Sequence, residues 1–287
     1  MSSSVQTWFH KDTSTFSHLI LDSHSGEAAL VDPVLDFDQK SGRTSTGFVD
    51  GMLAELQALG GRLVWVLETH AHADHLSAGD YVRSKTGAAI VIGEKITGVQ
   101  KVFAALFNEG RVLALDGRQF DRLVCDGDEL TLGQSRIRVL ATPGHTSACV
   151  SYWLDEQQLF VGDTLFAPDV GSARCDFPGG DAGTLYDSVQ RLLALGDEVV
   201  MHLCHDYPTT ERPLISAVTV AEQRQHNVHI RDGVSREAFV ALRQQRDAGL
   251  DVPRLMLPSL QVNIRAGALP EPEENGISYL KMPLNRL

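Results

Sequence analysis

Residues 68–80, with the sequence ETHAHADHLSAGD, place His70, His72, Asp74 and His75 within six consecutive positions. They follow the apolar run RLVWVLE, which is typical of a strand buried on both faces of a sheet. Imidazole and carboxylate groups at this density serve neither a hydrophobic core nor a solvated helix face. The stretch therefore predicts a metal site just beyond the end of a buried strand.

Three further segments carry ligand-type side chains at equivalent points: His145 follows IRVLATPG, Asp163 ends LFVGD, and His205 follows EVVMHLC. Loops at strand ends are where a rigid sheet presents functional residues, so we expect all four segments to converge on one cleft. Neutral imidazole and carboxylate suit a borderline or hard metal ion. We expect ordinary structural roles for the remaining histidines, which are His10, His18, His24, His202, His226 and His229.

These seven positions are sufficient for a cage of two metal sites. The first site would take His70, His72 and His145. The second site would take Asp74, His75 and His205. Asp163 would lie between the two sites and bridge them.

The remaining pattern alternates strands and helices. FSHLILD and EAALVDP predict a hairpin, FVDGMLAELQALGG a helix, and SRIRVLAT, CVSYWL and QLFVGD successive strands, followed by the amphipathic helix GTLYDSVQRLLALG. Two layers of sheet covered by helices satisfy this order. Residues 217–247 predict two helices. We expect one domain over residues 1–287, with residues from about 217 to 287 as a C-terminal closing appendage.

Composition excludes several function classes. The formal net charge of −12, without a long basic run, gives no attraction to nucleic acid or anionic lipid. The start MSSSVQTWFHKDTSTF lacks the basic and apolar regions of a signal peptide, and no apolar run is long enough to span a membrane. We expect a cytoplasmic protein whose four separated cysteines are buried free thiols.

The motifs THAHADH, PGHT, VGDTLF and CHDYP together resemble the metallo-β-lactamase superfamily, and the resemblance covers essentially the whole chain. It implies an α/β fold, an αββα sandwich with the metal site at one edge of the two sheets. This fold hosts unrelated activities, so the function has to be argued from the site. Antibiotic-degrading members commonly have Cys in the place of Asp163, and flavodiiron-type members have Glu in the place of His72. Both differences disfavour those branches.

Two branches remain. Resemblance to glyoxalase II implies a dinuclear site, with zinc or mixed metals, whose hydroxide attacks a glutathione thioester. Resemblance to persulfide dioxygenase implies one Fe(II) per chain, held by His70, His145 and Asp163, and oxidation of glutathione persulfide by O2 to sulfite and glutathione. In the second case the residues that orient ligands and waters would be His72, Asp74, His75 and His205.

Several stretches favour the dioxygenase: VDPVLD, ARCDFPGGDAGTLYDSV, CHDYP, VAEQRQHN, SREAFV and LPSLQVNIRAG. The resemblance implies that the second of these shapes a glutathione pocket. Arg174 is the candidate for a substrate carboxylate, with a structural ion pair as the alternative. Tyr186 and Tyr207 are candidates for the pocket wall, with core packing as the alternative.

This chain also departs from the dioxygenase pattern. Cys175 stands where better-known members tend to have Thr, and the insert at about residues 38–47, DQKSGRTSTG, is longer than in compact members. Because of these two departures, the resemblance does not identify the preferred thiol substrate. The resemblance is compatible with a homodimer.

Overall fold

The computed structural model describes residues 3–210 and 212–286 of the chain. Its strands are β1 (Ser3–His10), β2 (Thr15–Asp22), β3 (Glu27–Val31), β4 (Val34–Asp38), β5 (Arg43–Ser45), β6 (Arg62–Leu67), β7 (Leu76–Ser77), β8 (Ala89–Gly93), β9 (Arg122–Val124), β10 (Glu129–Leu132), β11 (Ser135–Ala141), β12 (Val150–Leu154), β13 (Gln158–Phe160), β14 (Val200–His202) and β15 (Ala217–Thr219). Its helices are α1 (Gly47–Ala58), α2 (Gly79–Thr86), α3 (Ile96–Leu106), α4 (Ala182–Leu193), α5 (Val220–His226), α6 (Arg236–Asp247) and α7 (Met256–Asn263), with a short 3₁₀ turn at Gly162–Thr164.

The strands form two six-stranded sheets. The N-terminal sheet has the order β1-β2-β3-β6-β8-β9, in which β1 to β3 are antiparallel and β3, β6, β8 and β9 are parallel. The C-terminal sheet has the order β10-β11-β12-β13-β14-β15. A small third sheet, β5-β4-β7, contains the insert, which folds as a hairpin against β4.

The two large sheets pack face to face. Buried residues of both form one core between them, including Ile20 and Leu67 of the N-terminal sheet and Val139 and Tyr152 of the C-terminal sheet. The buried Tyr152 hydroxyl donates to the carbonyl oxygen of Glu68 at 2.9 Å and so links the sheets next to the loop that begins at Thr69.

Helices cover both outer faces. Apolar residues of α1, α2, α3 and α7 pack on the N-terminal sheet, and those of α4, α5 and α6 pack on the C-terminal sheet. In α4, Leu185, Val189 and Leu192 recur at helical spacing and are buried, and the Asp181 carboxylate accepts the Thr184 N–H at 2.7 Å as the helix cap. The αββα sandwich predicted from the sequence is confirmed.

The region after residue 216 contributes to both helical layers. Phe239 of α6 belongs to the core on the C-terminal sheet, whereas Leu260 of α7 belongs to the core on the N-terminal sheet. The prediction of two helices over residues 217–247 misses the strand β15, which pairs with β14 before α5 begins. The division of the chain into domains stays a prediction.

Two expectations from composition meet the structure here. Across the described ranges, no helix is both long and apolar enough to cross a membrane. All four cysteines are free, but Cys125 is exposed, so the expectation of burial is wrong at that position. Cys125 begins a polar turn directly after β9, where the chain leaves the sheet.

Candidate metal centre

The loop that carries four of the predicted ligands starts at the end of β6. Asp32, at the end of β3, accepts hydrogen bonds from the Thr69 N–H and the Thr69 hydroxyl, both at 2.8 Å. From α7, the side-chain amide of Asn263 donates to the carbonyl oxygens of His72 and His75 at 2.7 and 2.8 Å. The loop is therefore fixed from two directions, by a neighbouring strand end and by a distant helix.

A first group of ligand atoms consists of His70, His145 and Asp163, all buried. The Nε2 atoms of His70 and His145 lie 3.9 and 3.7 Å from the same oxygen, Asp163 Oδ2. His145 Nδ1–H donates to the Arg174 carbonyl oxygen at 2.7 Å, which directs its Nε2 lone pair into the centre. Two imidazoles and one carboxylate facing one point are a suitable set for a metal with open positions.

A second group lies beside the first and consists of His72, Asp74, His75 and His205. His205 Nε2 lies 3.3 Å from Asp74 Oδ2 and 3.3 Å from Asp163 Oδ1. Asp163 thus directs one oxygen toward each group, the arrangement expected of a bridging carboxylate.

The position of His72 differs from the two-site cage described above, which grouped it with His70 and His145. Here the ligand atoms of His72 lie with the second group, and its Nε2 is 3.0 Å from Asp32 Oδ1. The rings of His70 and His72 are nevertheless only 3.9 Å apart between centroids, so the two groups are direct neighbours.

The centre contains many buried polar atoms without a hydrogen-bond partner among the described residues. They include Nε2 of His70, His75 and His205, and Oδ1 of Asp163. An unpartnered buried polar atom is costly and therefore rare in a native protein. Lone pairs that converge in this way fit metal coordination.

The charge states of His70, His72 and Asp74 agree with this interpretation. Burial lowers the pKa of His70 and His72 well below the usual histidine range, so both rings are neutral near pH 7. Burial raises the pKa of Asp74, but the nearby His205 and His75 outweigh it and hold the carboxyl ionised. Neutral imidazole and ionised carboxylate are the forms that bind metals.

A cavity of about 320 Å³ opens beside the first group. His145, Asp163 and His205 form its floor, and Phe166 and Phe177 form apolar parts of its wall. A small molecule in this cavity would have its reacting atom next to the ligand atoms, with aromatic rings limiting access of water.

The three candidates for substrate contacts have different environments. Arg174 forms a bidentate ion pair with Asp176 at 2.6 and 2.7 Å, donates to a backbone carbonyl, and stacks over Phe177, so its ion-pair alternative is realised at the cavity wall. Tyr186 lies outside the cavity, where its hydroxyl donates to the Val234 carbonyl oxygen at 3.0 Å and its ring packs in the core. This position contradicts a pocket role and fits the packing alternative.

Tyr207 does line the cavity. It is 51% exposed, and its ring lies parallel to that of His205 with centroids 6.4 Å apart. Cys175, by contrast, is buried, and its backbone N–H donates to the Asp247 carboxylate at 2.9 Å. Burial raises the pKa of the Cys175 thiol to about 12, so it is not a nucleophile at neutral pH.

Sequence reasoning missed four residues that shape the centre. Asp32, in VDP, is a carboxylate directly after a buried strand. The same signal identified the ligands, so the sequence pattern could have identified Asp32 as well. Asn263, His229 and Arg246 lie far along the chain in helical or irregular segments without a local signal, yet the last two line the cavity.

Comparison with known proteins agrees with the fold and the centre. The family model described as the metallo-beta-lactamase superfamily matches residues 11–205. A probable metallo-hydrolase from Burkholderia pseudomallei is 53% identical, covering 99% of both chains, and Glyoxylase B2 from Dictyostelium discoideum is 45% identical, covering 99% of this chain and 97% of that protein. The chain belongs to the metallo-β-lactamase superfamily, a family of metal-dependent enzymes.

Two further comparisons extend past the matched family region. The mitochondrial persulfide dioxygenase ETHE1 from Homo sapiens is 31% identical, covering 92% of this chain and 88% of that protein. The crystal structure of ETHE1 from Myxococcus xanthus superposes with a TM-score of 0.73 at 32% identity, covering 92% of this chain and 100% of that chain. The relation to the persulfide dioxygenase branch expected from the motifs is supported.

Proposed function

We propose that this protein is a persulfide dioxygenase that converts glutathione persulfide, O2 and water into sulfite and glutathione with one Fe(II) per chain. The observation that carries this proposal is the similarity to ETHE1, which extends over 92% of the chain at 32% identity. The similarity covers more of the chain than the residues 11–205 matched by the family model, and part of the cavity wall, including Arg243 and Arg246, lies beyond residue 205.

In this proposal the first group, His70, His145 and Asp163, holds the iron. Bound iron supplies one-electron chemistry with O2, which zinc does not. The hydrogen bond from His145 to the Arg174 carbonyl oxygen fixes the ring. Phe177, which packs edge-on against the His145 ring at 5.3 Å between centroids, limits access of water from that side.

The residues of the second group then act by hydrogen bonding. His205 Nδ1–H donates to the Ser14 carbonyl oxygen at 3.0 Å, which leaves Nε2 directed at Asp74 and Asp163. Burial lowers the pKa of His205, but the charges of Asp163 and Asp74 outweigh it and raise the pKa, so a proton on Nε2 would let the ring donate to the Asp163 carboxylate and hold it in place.

A second candidate is a hydrolase of glutathione thioesters with two metals. Two observations favour it: the second group offers four ligand atoms close together, and a relative at 45% identity is named Glyoxylase B2. In that case a hydroxide formed between two cations would be the nucleophile.

Metal content and oxygen uptake separate the two candidates. The protein is purified without oxygen, its metals are quantified, and O2 consumption and sulfite are measured after addition of glutathione persulfide. We expect about one iron per chain and sulfite formation. Hydrolysis of lactoylglutathione without oxygen uptake would refute the dioxygenase.

Substitutions test which group holds the iron. We expect His70→Ala and Asp163→Ala to lose it, because each removes one of three ligands. We expect His205→Ala to keep one iron per chain and to have weaker activity, because it removes only an orienting contact. Loss of a second stoichiometric metal in His205→Ala would show that the single-iron assignment is wrong.

A further inference from the structure

One wall of the catalytic cavity is rich in arginine. Arg174, Arg243 and Arg246 all line it. Arg174 is paired with Asp176, and Arg243 is paired with Asp247. Arg246 forms no ion pair with any carboxylate in the described part of the chain. It therefore presents an uncompensated positive charge to the cavity, although the chain as a whole carries a net charge of −12.

His229 adds a hydrogen-bond donor at the same wall. It is 5% exposed and lines the cavity, and its Nδ1 accepts the Ser172 backbone N–H at 3.0 Å. Because a backbone N–H can only donate, Nδ1 carries no hydrogen and the neutral ring bears it on Nε2. Nε2 makes no hydrogen bond to any residue within 3–210 or 212–286.

The ring stays neutral in use. Burial, together with the positive charges of Arg243 and Arg246, lowers the pKa of His229 to about 4. At pH 7 the side chain is therefore a fixed N–H donor that adds no charge of its own.

The position of this donor is set by the loop before Arg174. Arg243 Nη1–H donates to the Ser172 carbonyl oxygen at 3.1 Å. The backbone N–H of Ser172 in turn donates to His229 Nδ1. Gly171 packs directly on the ring, since a Cβ there would lie 2.5 Å or less from three of its atoms. Arg243 is thus a positioning residue, and it keeps His229 aligned beside Arg246.

We propose that Arg246 and the Nε2–H of His229 form a subsite that binds a carboxylate of the substrate whose sulfur lies at the metal centre. The planar guanidinium suits a carboxylate, and the neutral imidazole N–H offers an additional hydrogen bond to it. The subsite rests on the proposed function only for the identity of the substrate, which that proposal takes to be a glutathione derivative. Glutathione carries two carboxylates, and the subsite would bind one of them. Arg174 then supports the wall through its ion pair with Asp176 rather than binding this carboxylate.

Binding of glutathione to the iron-loaded protein, measured by anaerobic titration calorimetry, tests the subsite. We expect Arg246→Gln to weaken binding about tenfold to hundredfold, because it removes a charge-assisted hydrogen bond. We expect His229→Phe to weaken binding about twofold to tenfold, because it removes one hydrogen bond from an uncharged donor and leaves the guanidinium in place. Arg246→Lys keeps the charge and should recover part of the affinity. Arg111→Gln, at an exposed arginine outside the cavity, is the matched control and should bind as the wild type does.

Two ligand variants identify the group that is bound. They are the monoamides of glutathione, in which one or the other carboxylate is replaced by a carboxamide. For the wild type, one monoamide should bind more weakly than glutathione, by the same factor that Arg246→Gln loses for glutathione. For Arg246→Gln, that monoamide and glutathione should bind with equal affinity. The subsite is refuted if, for each monoamide, the loss of affinity relative to glutathione is the same in the wild type as in Arg246→Gln. It is also refuted if glutathione does not bind the wild type.

Oxygen uptake with glutathione persulfide separates this result from the proposed function. Carboxylate-dependent binding that requires Arg246, without oxygen uptake or sulfite, would refute the dioxygenase and leave the subsite supported. Oxygen uptake with the same KM in the wild type and Arg246→Gln would refute the subsite and leave the dioxygenase supported. A raised KM with little change in kcat is the result that supports both.

Discussion

Gly144, in the motif PGHT, allows His145 to reach the metal centre, and replacing it with Ala should disrupt both stability and iron binding. Its φ of +141° lies in a region that residues with a Cβ rarely adopt. A Cβ at this position would lie 2.5 Å from the backbone nitrogen of Leu185 in α4, compared with 3.4 Å for ordinary contact. The Leu185 Cα would lie closer still, so the backbone has to move by at least 0.9 Å.

The expected cost follows from these two effects. Overpacking costs roughly 1–3 kcal/mol, and the strained φ adds roughly 1–3 kcal/mol. The reduced freedom of the unfolded chain returns about 0.4–1 kcal/mol. We expect Gly144→Ala to lower the free energy of unfolding by about 1–6 kcal/mol.

Iron binding should be affected more strongly than stability. Metal–ligand distances are kept within about ±0.2 Å, and a shift of 0.9 Å next to His145 exceeds that range. The assay combines urea unfolding of the metal-free protein with iron quantification after anaerobic reconstitution. Gly98→Ala in α3 is the control, because nothing lies within 4 Å of its Cβ, and it should gain about 1 kcal/mol. Equal iron content and equal stability in the two variants would refute this reasoning.

Two further predictions concern residues that are not candidate metal ligands. Burial lowers the pKa of His18 to about 3 against 6.5 in the unfolded chain, so its contribution to stability is complete above pH 6.5 and is lost as the pH falls toward 3. Between pH 7.5 and 5 the loss from His18 is about 2 kcal/mol, so in urea unfolding His18→Gln should lose about 2 kcal/mol less than the wild type or His24→Gln. Other buried histidines with a lowered pKa, such as His202 and His229, account for the loss that remains in His18→Gln. Asn263→Leu removes three hydrogen bonds to buried backbone groups, including the Ser77 N–H at 2.8 Å, and should cost about 3 kcal/mol and weaken iron binding. Asn275→Leu, at an exposed site, should leave urea stability and iron content unchanged, and the same result for Asn263→Leu would contradict the role given to that residue.

The fold and the positions of the ligands were accessible from the sequence for a physical reason. Each ligand-type residue combines two local signals, its chemical type and its place directly after a buried strand, and both are visible in a short window. His145 and Asp163 were found in this way, and the structure brings them together with His70. The grouping of His72 was not accessible, because it depends on three-dimensional contacts such as the 3.0 Å approach of its Nε2 to Asp32 Oδ1, which spacing within the motif does not encode.

Residues that orient the ligands were harder to find. Asn263 contacts the loop of His72 across 191 positions of sequence, and Asp247 contacts Cys175 across 72 positions. Such contacts exist only once the helices are packed, so neither composition nor spacing predicts them. Arg174 shows a related difficulty, because an arginine in a substrate pocket and one in an ion pair have the same local sequence.

The contacts from the C-terminal helices also bear on the number of metals. Glyoxalase-type and dioxygenase-type members resemble this chain at the same seven positions, so ligand identity alone does not distinguish one metal from two. Whether the centre holds one metal or two then depends on the geometry that residues other than the ligands impose on the ligands. In this chain α6 holds the loop that fixes His145, through the bond from Cys175 N–H to Asp247, and α7 holds the backbone of His72. Variants of Asp247 and Asn263 therefore test metal number more directly than variants of the ligands, because they change orientation and leave every ligand in place.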